Sequence, residues 1–186
     1  MNETIQNILS RRSTRAYKPE QITAEDLHLV LEAGQYAPSA ANQQSWHIVA
    51  VQNKDMLKKL SETFRTVYLK SGIQRFEEAA KADDFNPFYN APTYIMVFAD
   101  DKAIAPTHDG SLAIGNMLLA AEALGLGGCW LHAVNFVFKT PVGEALKGEL
   151  GIPEGYSPVG AVAIGYKAAE TATAAPRREG TVTVIK

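Results

Sequence analysis

Residues 93–99 read Thr-Tyr-Ile-Met-Val-Phe-Ala, a nearly continuous apolar run of strand-forming residues. A strand with no polar face to offer water has to lie inside a sheet, so the run predicts a central strand. Weaker signals predict further strands over 47–51, 129–134 and 159–166. Apolar residues at helical spacing predict helices between them. The first carries Ile5, Ile8 and Leu9. The second starts at Thr23, with an acid three residues later as in a capping box, and buries Leu27, Val30 and Leu31. A third carries Leu57, Leu60, Phe64 and Val67, and shorter ones are expected over 74–81 and 141–150. Between them, 110–124 predicts a long helix whose alanines and glycines suit close packing, often at a subunit interface.

The chain has 186 residues, 46% of them hydrophobic and 20% charged, which suits one globular domain spanning 1–186. Its net charge of −2 argues against a nucleic-acid binder. A single cysteine, Cys129, excludes an internal disulfide and a cysteine-built cluster. His28, His47, His108 and His132 show no metal-ligand spacing, so no metal is expected. The N-terminus lacks a secretory pattern and no apolar stretch is long enough to span a membrane, so the expected location is the cytoplasm.

Two polar clusters carry the chemistry. Arg11-Arg12-Ser13-Thr14-Arg15 sets three guanidinium groups and two hydroxyls in five residues, a fork of donors suited to an oxyanion. Ala37-Pro38-Ser39-Ala40-Ala41-Asn42-Gln43-Gln44-Ser45-Trp46 sets short polar side chains and amides between a proline and a tryptophan, suited to reading the polar edge of a ring. A phosphate grip with a ring-edge reader points to a nucleotide-like cofactor. Gly125-x-Gly127-Gly128 follows a helix rather than a strand and is no dinucleotide fingerprint.

Arg11, Arg12, Ser13, Arg15 and Tyr17, followed by Ala37, Pro38, Ser39, Asn42, Gln44 and Trp46, resemble the opening of the nitroreductase family of FMN-dependent oxidoreductases. Ser45 stands where that family usually has proline. The resemblance implies an α+β fold, a three-layer α/β/α sandwich around a mostly antiparallel sheet, assembled as an intertwined homodimer. It implies that Arg11 and Ser13 meet the FMN phosphate, with Arg12 in the same motif, and that Arg15 lies nearer the ribityl chain and pyrimidine edge. Pro38, Ser39, Ala40, Asn42 and Gln44 would meet the flavin ring of the opposite subunit. Residues 123–132 resemble the family's second flavin stretch and put a backbone donor to flavin N5 near Leu131 or His132. Arg177 or Arg178 would return to the phosphate.

The implied activity is hydride transfer from NAD(P)H, as co-substrate, to electron-poor acceptors such as nitroaromatics, quinones or flavins by a ping-pong mechanism, with no catalytic side chain required. The alternatives are a flavin storage or sensing protein, or a same-fold enone reductase or dehalogenase. Residues 70–90 carry no assignable signature, and the aromatics of the loop over 83–90, Phe85, Phe88 and Tyr89, suit a lid over a site or, as often, core anchors. The polar, alanine-rich 167–180 reads as an extended arm, and the alternation over 181–185 asks for a strand partner.

Overall fold

The computed structural model describes residues 2–170 and 172–186. Four antiparallel strands form one sheet in the order β1-β2-β4-β3: β1 Trp46–Val51, β2 Thr93–Asp100, β3 Gly127–Leu131 and β4 Tyr156–Gly165. The apolar run is β2, and it lies between β1 and β4 as a central strand must. Alternate β2 side chains serve opposite faces, which follows from the period of two. Tyr94, Met96 and Phe98 pack with Leu60 and Phe64 of α3 (Lys54–Leu69) and with Val134 and Val137 of α6 (Val134–Val137). Ile95, Val97 and Ala99 pack with Val30 of α2 (Ala24–Gln35) and Ile114 and Met117 of α5 (Pro106–Ala123). The result is the expected α/β/α sandwich with a core on each face of the sheet.

Helix ends follow local chemistry. The Asn2, Thr23 and Asn53 side chains accept from the Ile5, Asp26 and Met56 amides at the starts of α1 (Glu3–Ser10), α2 and α3. α4 (Gln74–Ala80) lies where its periodicity put it, packed on α3.

Several boundaries differ from the sequence expectation. α5 opens at Pro106, four residues before Gly110, because proline's fixed φ suits a first helical turn. β3 begins at Gly127 and stops at Leu131, whereas the expectation was 129–134; Val134 instead opens α6. The two glycines are strand residues because their neighbours leave no room for a side chain. A Cβ on Gly127 would lie 2.6 Å from Thr14, and one on Gly128 2.9 Å from Leu118. The helix expected over 141–150 is only α7 (Pro141–Glu144), continued by turns. Residues 181–185 form no strand within the chain; Val182, Val184 and Ile185 are 81%, 72% and 93% exposed. Among the described residues, no helix is long and apolar enough to cross a membrane.

Gly143 sits with the Val137 carbonyl and the Phe138 backbone where its side chain would be, whereas Gly148 faces open space. Gly143→Ala is therefore expected to cost about 1–3 kcal/mol in chemical denaturation, because backbone cannot rotate aside. Gly148→Ala should change stability by no more than about 0.5 kcal/mol.

Candidate functional site

The arginine motif follows α1 and runs along the free edge of β3. Ser13 makes a parallel bridge with Gly128, and the Thr14 amide donates to the Gly128 carbonyl at 3.1 Å. Tyr17 bridges Lys167, and its phenol donates to the Thr14 and Ala163 carbonyls at 2.7 and 3.1 Å. These bonds hold Arg11, Ser13 and Arg15 around Cys129. Arg15, Ser13 and Arg11 each act to lower the thiol pKa, but burial outweighs them and leaves it raised. Cys129 is a buried, protonated packing residue beside three polar groups.

Arg12 is employed differently. Its Nη1 donates to the Leu9 and Arg11 carbonyls at 2.8 and 2.7 Å, capping the end of α1. Arg11 Nη1, Arg12 Nε and Thr14 Oγ1 are buried without a hydrogen-bond partner. Buried donors are normally satisfied, so an orphaned guanidinium nitrogen marks a place that suits an anion. Arg15 is exposed, and interaction with the neighbouring Tyr89 phenol raises its pKa above the ordinary arginine value.

Tyr89 belongs to the aromatic loop left unassigned from sequence. Tyr89 and Asn90 have φ of 59° and 55°, left-handed values that are uncommon without glycine. Tyr89 also borders a cavity of about 550 Å³ at the end of β3, where Leu131 and His132 meet Tyr68, Phe76 and Phe136. Tyr68 and Phe76 stack with centroids 4.4 Å apart, and burial pushes the Tyr68 phenol up to about 12. The 70–90 segment thus contributes Phe76 and Tyr89 to an aromatic cavity whose other rings, Tyr68 and Phe136, come from α3 and α6.

The 38–44 loop is elsewhere. It precedes β1 at the opposite edge of the sheet, with Asn42 and Gln44 exposed beside a cavity of about 530 Å³ that includes Tyr36 and Trp46. Trp46 is level with Ala99 and Ser157, whereas Gly128 is level with Ile164. Four strand spacings separate Ser13 from β1, about 19 Å, and seven residues of β4 separate the two levels, about 23 Å. One chain does not bring its arginine motif and its 38–44 loop together. Arg177 and Arg178 lie on the exposed arm, outside any helix or strand.

Asp109 is a site residue that motif reading missed. It is 2% exposed on the first turn of α5, and its Oδ1 and Oδ2 accept from the Ala40 amide and the Ser45 hydroxyl, both at 3.0 Å. The Ser39 hydroxyl accepts from the Gln44 amide at 2.9 Å, and Gln44 Nε2 donates to Asn42 Oδ1 at 3.1 Å. Ala41, Asn42 and Gln44 have φ of 49°, 54° and 47°, so these bonds hold a strained loop in one shape. Ser45, where proline was the familiar residue, gives Asp109 a second bond beside the one from the Ala40 amide. An aspartate three residues past a proline at a helix start could have been read as an N-terminal turn acid, but its long-range partners have no sequence signal.

The Nitroreductase family model matches residues 8–166. A relative from Archaeoglobus fulgidus, provisionally named NADH dehydrogenase/NAD(P)H nitroreductase, is 35% identical over 171 residues, covering 89% of this chain and 86% of that protein. The FMN reductase [NAD(P)H] of Bacillus subtilis is 31% identical over 144 residues, 72% of this chain and 55% of its own length. Among solved structures, a nitroreductase with bound FMN from Bacteroides fragilis superposes with a TM-score of 0.95 at 36% identity, covering 100% of both chains. One with bound FMN from Desulfitobacterium hafniense gives 0.88 at 26%, again over 100% of both.

Burial raises the phenol pKa of Tyr17 and Tyr94 well above the ordinary 10.0, so the folded chain holds these protons more tightly than the unfolded chain. That contribution is complete below about pH 10 and is lost as pH rises towards the folded values. The urea midpoint is expected to fall between about pH 10 and 11.5. Tyr17→Phe should flatten the fall, as followed by fluorescence at each pH.

Proposed function

The chain belongs to the nitroreductase family, and from that premise we propose an FMN-dependent oxidoreductase. It takes hydride from NAD(P)H and passes electrons to acceptors such as nitroaromatics, quinones or flavins by a ping-pong mechanism. The observation that carries this reading is the meeting of Arg11, Ser13 and Arg15 with the strand ending at Leu131, all along one sheet edge. The orphaned Arg11 Nη1 fits a phosphate, and the bound FMN of the Bacteroides fragilis and Desulfitobacterium hafniense proteins supports it.

Bound FMN would supply the hydride-accepting ring, and the protein would supply position and electrostatics. Arg11 and Ser13 hold the phosphate end. Arg15, beside Tyr89, offers its cation to the ribityl and pyrimidine side, where charge on a reduced flavin is stabilised. Three residues of β3, about 10 Å, separate Gly128 from Leu131, and the backbone donor near Leu131 or His132 directs the ring's reacting edge. The aromatic cavity beyond it admits a flat substrate and limits water. None of these roles calls for a catalytic side chain.

The site is shared between two chains of a homodimer. The separation of the 38–44 loop from the arginine motif leaves each chain with two unfinished halves, and the partner's Pro38, Ser39, Ala40, Asn42 and Gln44 complete the ring site. Exposed apolar residues support such an interface: Ile5, Ile8 and Leu9 of α1 are 45%, 47% and 58% exposed. The arm beyond Lys167 crosses to the partner, giving 181–185 a strand edge and bringing Arg177 or Arg178 to a phosphate.

Purified protein is expected to carry FMN and to oxidise NAD(P)H when a nitroaromatic is added; bound flavin without turnover would indicate a storage or sensing protein. Arg11→Ala should weaken FMN binding by about 1.5–3 kcal/mol in an equilibrium titration. The shared site has its own test. Co-expressed Arg11→Ala and Asn42→Ala chains should regain activity that neither variant has alone, because a mixed dimer contains one site with both groups intact. Absence of recovery in a verified mixed dimer would place both groups in one chain's site.

A further inference from the structure

The cavity at the end of β3 is aromatic within and cationic at its mouth. Tyr68, Phe76 and Phe136 form its wall, with Phe76 and Phe136 centroids 5.7 Å apart. Arg75 comes from α4 and Lys139 from the segment after α6, both exposed at the rim. The Arg75 guanidinium carbon lies 5.2 Å from the Phe76 centroid, which leaves its N–H groups free for a ligand. No carboxylate of the described residues lines the cavity. Among the described residues neither Arg75 nor Lys139 joins an ion pair. The whole chain carries a net −2, so this rim is a local reversal of sign rather than part of a basic surface. Such a focus of charge draws an anion, and the wall draws a flat ring.

We propose that the electron acceptor is a planar aromatic compound bearing a carboxylate, its ring on the Tyr68–Phe76–Phe136 wall and its carboxylate toward Arg75 and Lys139. This inference rests on the reductase reading above and names the substrate class of that site. With a nitroaromatic acid, one N–O bond breaks. The arene nitro group, NAD(P)H and one proton become the nitroso arene, NAD(P)+ and water. The dinucleotide is also anionic and uses the same site in turn, so the two anions have to be separated by measurement.

The probes are para-nitrobenzoate and its neutral counterpart para-nitrobenzamide, used on FMN-loaded protein. The benzoate is expected to show a KM about five- to twentyfold below the amide's, the range for one or two partly exposed charge pairs. Calorimetric Kd values on the oxidised protein should show the same ratio, and salt should shrink it. In Arg75→Ala/Lys139→Gln the ratio should fall to within about twofold, with an unchanged melting temperature reporting an intact fold. Equal KM and Kd for the two probes in the wild type would overturn the proposal. So would a variant that raises the KM for NAD(P)H but keeps the probe ratio, since the cations would then serve the dinucleotide. Preferential binding of the benzoate with neither probe reduced would instead overturn the reductase reading, and with it the benzoate's place as a substrate.

Discussion

The backbone bond from Thr14 to Gly128 is the constraint on which the site depends. It docks an irregular segment against the edge of β3, at a point where a side chain on Gly127 would collide with Thr14. That docking turns three residues of a local motif into neighbours of a strand more than a hundred residues away. The bond also covers part of an otherwise open sheet edge, a place where unpaired N–H and C=O groups would invite association. Tyr17 reinforces it by bonding to both the Thr14 segment and β4. Burial of its phenol in a neutral state adds to the cost of pulling the segment away.

A second anchor lies at the other end of α5. Asp109 grips the 38–44 loop from the helix's first turn, while the last turn approaches β3 through Leu126 and Gly127. A helix of 18 residues is about 27 Å long, so one rigid rod holds the 38–44 loop apart from the segment docked on β3. The 38–44 loop and the loop over 83–90 depart from ordinary backbone. Both include non-glycine residues in left-handed conformations, Ala41, Asn42 and Gln44 on one side and Tyr89 and Asn90 on the other. Strain of this kind persists where neighbouring bonds over-determine the backbone, and it tends to accompany binding sites.

Much of the architecture was legible because its causes are local. The β2 run could not be anything but a buried strand, and the Thr23 cap and the Leu60–Phe64 spacing named their helices. The errors fell where local and long-range forces disagree. Gly127 and Gly128 look like helix-breaking punctuation, yet they are strand residues because Thr14 and Leu118 need their space. Residues 141–150 carry a helical beginning that Gly143 and Gly148 do not sustain. The strand-like alternation over 181–185 pairs with no strand of its own chain among the described residues, because a partner edge is a long-range property that alternation alone does not specify.

The sequence by itself determined the family, the central strand, the starts of α2 and α3 and the two polar clusters, because motif chemistry and periodicity are written over a few residues at a time. It identified Arg11, Ser13 and Arg15 as a group, since they are adjacent in the chain. Only the tertiary structure decided that Arg12 caps α1 and that Tyr89 comes to lie beside Arg15. It alone revealed Asp109 as the buried anchor of the 38–44 loop and placed that loop at the far edge of the sheet. The physical reason is the strand order. A β1-β2-β4-β3 sheet sets which distant segments become neighbours through backbone pairings that leave no mark on the residues they join.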